Sequence, residues 1–321
     1  MTAAAVASGA PAYASAMRVG VIDMGTNSTR LLIADVADGA IRELERQLTI
    51  TRLGAHVDRD GRLGETAMGR TRKAVAGYVE RARSLNCDVV FASATSAVRD
   101  AANGEAFMQT LQRDLGIAAR TLTGEEEARA TFRGVTSGST VEGQTAVIDV
   151  GGGSTEIVRG QGDRVHGAVS LQAGCVRMTE RWLGENAVGP DQLTVAREEI
   201  DRLIDRHMPA DLQQPVAVDP IAVAGTATTL AAIQLGLPGY DSERIHGQRV
   251  SRDAVATWIA KLAPLTADQR RAMHPAIEAG RAPLIVGGAL VLLAVLDALH
   301  ADAYVASERD ILHGLALGLA A

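Results

Sequence analysis

The chain contains almost no lysine: of its 32 basic residues only Lys73 and Lys261 are lysines, and neither follows a glycine. That removes the Walker A pattern, whose lysine after a glycine-rich loop reaches the phosphates of a nucleotide. Cysteine is nearly as scarce. Cys87 and Cys175 show no metal-ligand spacing, and two thiols cannot build a disulfide framework, so a reducing, cytoplasmic setting is expected. Aromatic residues make up 3%, which leaves little for stacking on bases. No surplus of positive charge exists either: the net charge of −6 argues against broad nucleic-acid binding, which needs a basic face to displace counterions. A polyanion must therefore be gripped locally.

Long apolar runs are also missing. The longest, Leu284 to Leu296, lies between Pro283 and Asp297 and falls short of the ~20 residues that span a bilayer, so it reads as a buried helix and no membrane partner is expected. The first sixteen residues have no basic start and no continuous apolar stretch, which argues against a secretory signal. Met17, just before the first strand-like run, is an alternative start. His166, His207, His246 and His313 share no ligand spacing and read as surface or packing residues. With 321 residues, 47% of them hydrophobic, the chain suits two globular lobes, since domains usually run ~100–200 residues.

An internal repeat is present. Val19–Asp23 (VGVID) leads into Met24-Gly25-Thr26-Asn27-Ser28-Thr29 and then the apolar run Arg30–Val36. Ala146–Asp149 (AVID) leads into Val150-Gly151-Gly152-Gly153-Ser154-Thr155 and then Glu156-Ile157-Val158. Asp23 matches Asp149, Gly25 matches Gly151, and Ser28-Thr29 matches Ser154-Thr155. Each copy reads as strand, tight turn, strand. A dinucleotide fingerprint needs its glycines to open a helix, and here the chain returns to a strand. Glycines let backbone amides approach an anion, and the Ser, Thr and Asn side chains add hydrogen bonds. An aspartate ending each first strand suits a phosphate only with a divalent cation between them, and oxygen ligands favour Mg²⁺.

Three further segments carry polar residues at strand-to-helix or helix-start positions. Thr95 and Ser96 follow the run Asp88–Phe91 and serve either as a plain N-cap or as anion ligands at a helix N-terminus. Arg99 can fork onto phosphate or pair with Asp100. In Thr123-Gly124-Glu125-Glu126-Glu127 the pair Thr123 and Glu126 fits a capping box and Glu125 favours the helix dipole. Glu127 has no such local task, so it is either a solvated helix acid or a general base toward water. Gly225 and Thr226, after the run Ile221–Ala224, form either a capped turn or a loop closing over a distal phosphate or nucleoside.

The segments GVIDMGTNSTRLLI, SATSAVRDAAN, TGEEEAR, IDVGGGSTEIV and AGTATTLAA, in this order, resemble the motifs of the exopolyphosphatase and guanosine pentaphosphate phosphohydrolase family (Ppx/GppA). That family belongs to the sugar kinase, actin and chaperone ATPase superfamily. The resemblance implies an α/β fold with two ribonuclease-H-like (actin-like ATPase) lobes, each with a central mixed sheet, and a cleft between them. It implies the short form of the family and a homodimer. The expected division is a disordered extension over 1–16, a first lobe over 17–138 on which a helix within 306–321 packs back, and a second lobe over 139–305.

By motif position Glu127 corresponds to the catalytic glutamate. Asp149 and Glu156 match the acidic residues bracketing the second loop and associated with the metal, and Asp23 is expected to reach it through water. Gly25, Thr26, Asn27, Ser28, Arg30, Arg99, Gly151, Gly152, Gly153, Ser154 and Thr155 match phosphate-contacting positions. The implied cofactor is Mg²⁺, with a monovalent cation as a further expectation. Departures fall late: Asp310, Leu312 and His313 replace the Gly, Arg and Glu of many relatives, and Arg281-Ala282-Pro283 stands where Arg-Ala-Asp is common. Three functions stay open: an exopolyphosphatase releasing orthophosphate from inorganic polyphosphate, a guanosine pentaphosphate (pppGpp) hydrolase, or an ATP-binding sensor with little turnover. The shortage of aromatics favours polyphosphate over a nucleotide.

Overall fold

The computed structural model describes residues 16–137, 143–215 and 217–321. Residues 1–15 of the expected extension, and the expected lobe boundary at 138 and 139, lie outside them.

The first sheet is built from β1 (Met17–Met24), β2 (Ser28–Ala37), β3 (Ala40–Ile50), β4 (Val89–Ala94) and β5 (Ala118–Thr121), in the order β3-β2-β1-β4-β5. The second contains β6 (Thr145–Val150), β7 (Thr155–Gln161), β8 (Arg164–Leu171), β9 (Ile221–Val223), β10 (Arg249–Ser251) and β11 (Ala303–Ala306), in the order β10-β11-β9-β6-β7-β8. The repeat seen in the sequence sits at the centre of each. β1 pairs antiparallel with β2 and parallel with β4, while β6 pairs antiparallel with β7 and parallel with β9. Both sheets are therefore mixed. Their central strands are mostly apolar and buried because helices pack on both faces, as buried strands require, and the buried charged exceptions Asp23 and Asp149 sit next to the turns.

The apolar run reads as the helix Ile285–Ala298, with its residues from Ile285 to Leu296 all buried. Each fully buried Leu or Val there stabilises the second lobe by roughly 1.5–3 kcal/mol. Among the described residues no helix is long and apolar enough to cross a membrane. The last helix, Ile311–Leu319, packs Leu312 and Ala316 on Val19, Val21, Leu32, Ala34 and Val36 of the first sheet.

Register decides which side chains face each other next to the turns of the hairpins. Asp23 lies directly across from Arg30 in the first, and Asp149 directly across from Glu156 in the second.

Candidate active site

The two turns are closed by the same hydrogen bond, Gly25 N to Ser28 O at 2.9 Å and Gly151 N to Ser154 O at 3.0 Å. Each is also braced from behind. The carbonyls of Thr26 and Asn27 accept from the amides of Gly54 at 2.8 Å and Arg52 at 2.8 Å. The carbonyls of Gly151 and Gly152 accept from Cys175 at 2.9 Å and Val176 at 2.8 Å, and that of Gly153 from Arg177 Nε at 2.8 Å. In a trans peptide the N–H points opposite to the C=O. The amides of Asn27, Ser28, Gly152, Gly153 and Ser154 are thus turned away from the braces, giving two matched rows of donors of the kind that cradle phosphate.

The loops touch one another. A Cβ on Gly152 would lie 2.7 Å from Thr26 Cβ, and one on Gly153 would lie 2.5 Å from Ser96 Oγ. Glycine at these positions makes room for the opposite lobe as much as for an anion. Thr26 Oγ1 and Ser96 Oγ are 3.0 Å apart, so the first loop and the strand-to-helix turn are joined. Thr95 has no side-chain cap bond, and its hydroxyl is not spent on the helix.

One cleft collects Asp23, Gly25, Thr26, Asn27, Ser28 and Arg30 from the first hairpin, Thr95 and Ser96 from the turn, and Glu127 from the helix Gly124–Thr136. Asp149, Gly151, Gly152, Ser154 and Gly225 complete it from the second lobe. Arg99, Gly153, Thr155, Glu156 and Thr226 stand behind these walls. Thr155 Oγ1 donates to Ala173 O, and Thr226 packs against Gly288 of the buried helix. Arg99 does not pair with Asp100: it donates to Leu122 O at 2.9 Å and to Glu127 Oε2 at 3.2 Å.

The three glutamates after Thr123 are sorted by position. Glu126 closes the capping box, its Oε2 accepting from Thr123 N at 2.8 Å, and Glu125 pairs with Arg129 one turn on. Glu127 points inward and is 8% exposed, which excludes the solvated helix acid. Burial, followed by the charge of Glu156, lifts its carboxyl well above the ordinary range against the pull of Arg99. Burial and Asp149 push Glu156 up to about 7. Burial, opposed by Arg30 and reinforced by Asp310, pushes Asp149 up to about 6. Asp23 is raised by burial although Arg30 lowers it.

These carboxylates fit a divalent cation. Thr131 holds one oxygen of Asp149 at 3.2 Å and Ser170 holds one of Glu156 at 2.7 Å. The other oxygen of Glu156, Oε2, is buried without a hydrogen-bond partner among the described residues. Like charges directly opposite in a strand pair destabilise, and a cation at Asp149 and Glu156 removes that conflict. Among the described residues no three His, Cys, Asp or Glu side chains form a ready-made cage. One or two carboxylates plus phosphate and water are the usual surroundings of Mg²⁺. On the anion side, Asn27 Nδ2 and Arg99 Nη2 are buried donors without partners among the described residues.

Arg30 is committed more than its sequence suggested. Its Nη2 donates to Asp23 at 2.6 Å and its Nη1 to Asp310 at 2.6 Å, so at most part of its fork is left for phosphate. His313, read as a surface or packing residue, is fully buried and ionically engaged: Nε2 lies 2.8 Å from Glu43 and Nδ1 3.4 Å from Asp310. Asp310 also takes Arg46 at 2.9 Å. The late departures thus build an ion-pair network of their own. Sequence reasoning also missed Arg281 as a cleft residue. It lines the cleft beside Gly225, and among the described residues its guanidinium has no hydrogen-bonded or ion-paired partner. The signal was a cation next to Pro283 and fifty-six positions from its glycine, which no local pattern connects.

Two sheets of this topology, each ending in a braced anion loop over a carboxylate-lined cleft, define a phosphoryl-handling protein of the actin-like ATPase fold. The model of the Ppx/GppA phosphatase family matches residues 32–321. The chain belongs to that family. It is 38% identical over 320 residues to exopolyphosphatase 2 of Mycobacterium tuberculosis, covering 94% of this chain and 98% of that protein. Exopolyphosphatase 1 of Mycobacterium bovis is 29% identical over 289 residues, covering 89% and 83%. Among solved structures, an exopolyphosphatase-like protein superposes with a TM-score of 0.87 at 33% identity over 95% of this chain and 98% of that one. The Aquifex aeolicus Ppx/GppA enzyme does so with 0.80 at 29% over 94% and 99%.

Proposed function

We propose that the protein is an exopolyphosphatase that hydrolyses the terminal phosphoanhydride of inorganic polyphosphate with Mg²⁺ and releases orthophosphate. The observation that carries this reading is the convergence of two braced amide rows on one buried carboxylate, Glu127, which burial makes a stronger base than a solvated glutamate. The amides of both loops and the unpartnered donor of Asn27 bind the oxygens of the terminal phosphate, with the Arg99 guanidinium adding positive charge from behind Glu127. Glu127 orients a water in line with the phosphoanhydride and takes its proton as the water oxygen bonds to phosphorus and the bridging oxygen leaves. Arg99 holds Glu127 in place at 3.2 Å. Asp149 and Glu156, with Asp23 at one remove, would hold Mg²⁺. When bound, that ion supplies charge neutralisation for the phosphate oxygens.

Beyond Arg30, Gly225 and Arg281 the cleft opens into a cavity of about 660 Å³, where the remainder of the substrate lies in this reading. Tyr240 and Leu48 line that cavity and are partly exposed, a feature that keeps guanosine pentaphosphate as a second substrate to test. Two unbridged thiols support a cytoplasmic setting, and the family resemblance supports a homodimer, which light scattering after gel filtration tests. The deciding experiment measures phosphate release from short polyphosphate, long polyphosphate, guanosine pentaphosphate and ATP, each with and without Mg²⁺. Mg²⁺-dependent release from polyphosphate is expected. Release from ATP alone would sink the reading.

A further inference from the structure

Behind the second loop stands an arginine that the chemistry above leaves without a task. Arg177 belongs to the short helix Cys175–Met178, whose first amides brace Gly151 and Gly152. Its guanidinium makes three kinds of contact. Nε donates to the carbonyl of Gly153 at 2.8 Å, Nη2 to Asp100 at 2.6 Å, and Nη1 to Asp58. Asp58 lies in the helix Val57–Asp60 and also receives Arg181 Nη2 at 2.6 Å. Asp100 directly follows Arg99, the partner of Glu127.

We propose that Arg177 is a positioning residue for the hydrolysis, tying the second phosphate loop to Asp58 and Asp100 of the first lobe so that its amides are aimed only when the lobes are closed. This rests on the exopolyphosphatase reading. The side chain is 11% exposed, so its contacts are not those of a loose surface pair. A guanidinium is a rigid planar fork, and moving any one partner displaces the others. Because Nε fixes the Gly153 carbonyl, it also fixes the direction of the Ser154 amide across the same peptide plane. Gly152 and Gly153 press on Thr26 and Ser96, so the loop keeps its shape only against the first lobe. Arg181 with Asp58, and Glu180 accepting the His56 amide at 3.1 Å, extend the latch.

Two roles of one fork predict separable effects. Arg177→Met loses loop and latch, and kcat on polyphosphate is expected to fall on the order of tenfold or more, since small misplacements of binding groups are costly to turnover. Asp58→Asn weakens the latch but leaves the tie to Gly153, so KM is expected to rise severalfold with kcat retained, because saturating substrate draws the lobes together. Arg177→Lys keeps a charge for the aspartates but not the fork, so kcat stays low while KM recovers. Amide hydrogen exchange reads the same claim without substrate: Arg177→Met speeds loop exchange, read at the bracing amides of residues 175–177 that bond the carbonyls of Gly151 and Gly152, and Asp58→Asn does so only around 56–60. If Arg177→Met does not fold, Arg177→Lys and Asp58→Asn carry the test. Wild-type kcat together with unchanged loop exchange in Arg177→Lys or Arg177→Met, whatever the melting temperature, overturns the proposal. A wild-type protein inactive on polyphosphate sinks the functional reading, and the exchange arm then decides on Arg177 alone.

Discussion

Glu156 occupies in the second hairpin the place that Arg30 occupies in the first: each lies directly across the strand pair from an aspartate, Asp149 and Asp23. The scaffold is duplicated but its charges are not. In the first hairpin the aspartate is neutralised by an arginine at 2.6 Å. In the second, two carboxylates face each other inside the protein, and the pair is left needing a cation. A single difference in sign between equivalent positions therefore separates the neutralised hairpin from the one proposed above to hold the metal.

Glu156→Gln should make the metal-free protein more stable at pH 8. The folded pKa, about 7, lies above the unfolded value of about 4.3, so the protonated acid contributes stability that is fully present below about 4.3 and is lost as pH rises through about 7. At about 1.4 kcal/mol per unit, the ionised group costs on the order of 4 kcal/mol above that range. Calorimetry without metal should show a melting temperature several degrees above wild type at pH 8 and little difference at pH 4. The Mg²⁺-induced rise in melting temperature should shrink in the variant. A variant less stable than wild type at pH 8 would count against the unpaired-charge account.

Glu127→Gln should lower kcat on polyphosphate by about 10²–10⁴-fold, the usual worth of a general base, with KM within about a factor of two. Because burial and Glu156 raise the pKa of Glu127, the wild-type rate should climb with pH along a limb above the ordinary carboxylate range. That limb should vanish from the residual activity of the variant. Retention of most turnover would refute the assignment.

Asp310→Asn should destabilise the fold strongly. Burial alone would raise the pKa of Asp310, but Arg30 and Arg46 hold it well below the ordinary aspartate range. Removing one partner of a buried ion pair typically costs about 3–5 kcal/mol. The depressed pKa means this stability is present above about 4 and lost as pH falls toward the folded value. Urea unfolding should show a gap between wild type and variant at pH 6 to 8 that narrows in strong acid. A gap independent of pH would point to packing instead of charge.

What was legible in the chain was local. The two hairpins could be read because a strand, a turn and a returning strand lie within twenty residues, and the buried helix Ile285–Ala298 because its apolar run is uninterrupted. The network of Asp310 could not, since its partners Arg30 and Glu43 meet it across 280 residues and through His313. The role of Glu127 was open for a related reason. A capping box explains Glu126, but which way the next residue faces depends on strands of the other lobe, and nothing within the segment Thr123 to Arg129 encodes them.

Gly225→Ala tests the least legible contact of all. A Cβ at this position would lie 1.9 Å from Cζ of Arg281, so the added methyl must push the guanidinium out of the cleft or shift the backbone. The guanidinium has no protein partner to give up among the described residues, and its displacement should cost little stability. What it loses is a charge-assisted contact to phosphate, typically about 1.5–3 kcal/mol, so KM for polyphosphate should rise on the order of ten- to a hundredfold with the melting temperature nearly unchanged. Arg281→Met should do the same. If both act through one guanidinium, the double variant will be no worse than the worse single one, because residues sharing a contact do not add. Additive losses, or a fall in melting temperature for Gly225→Ala alone, would instead mean that the backbone yielded and that Arg281 never met the anion.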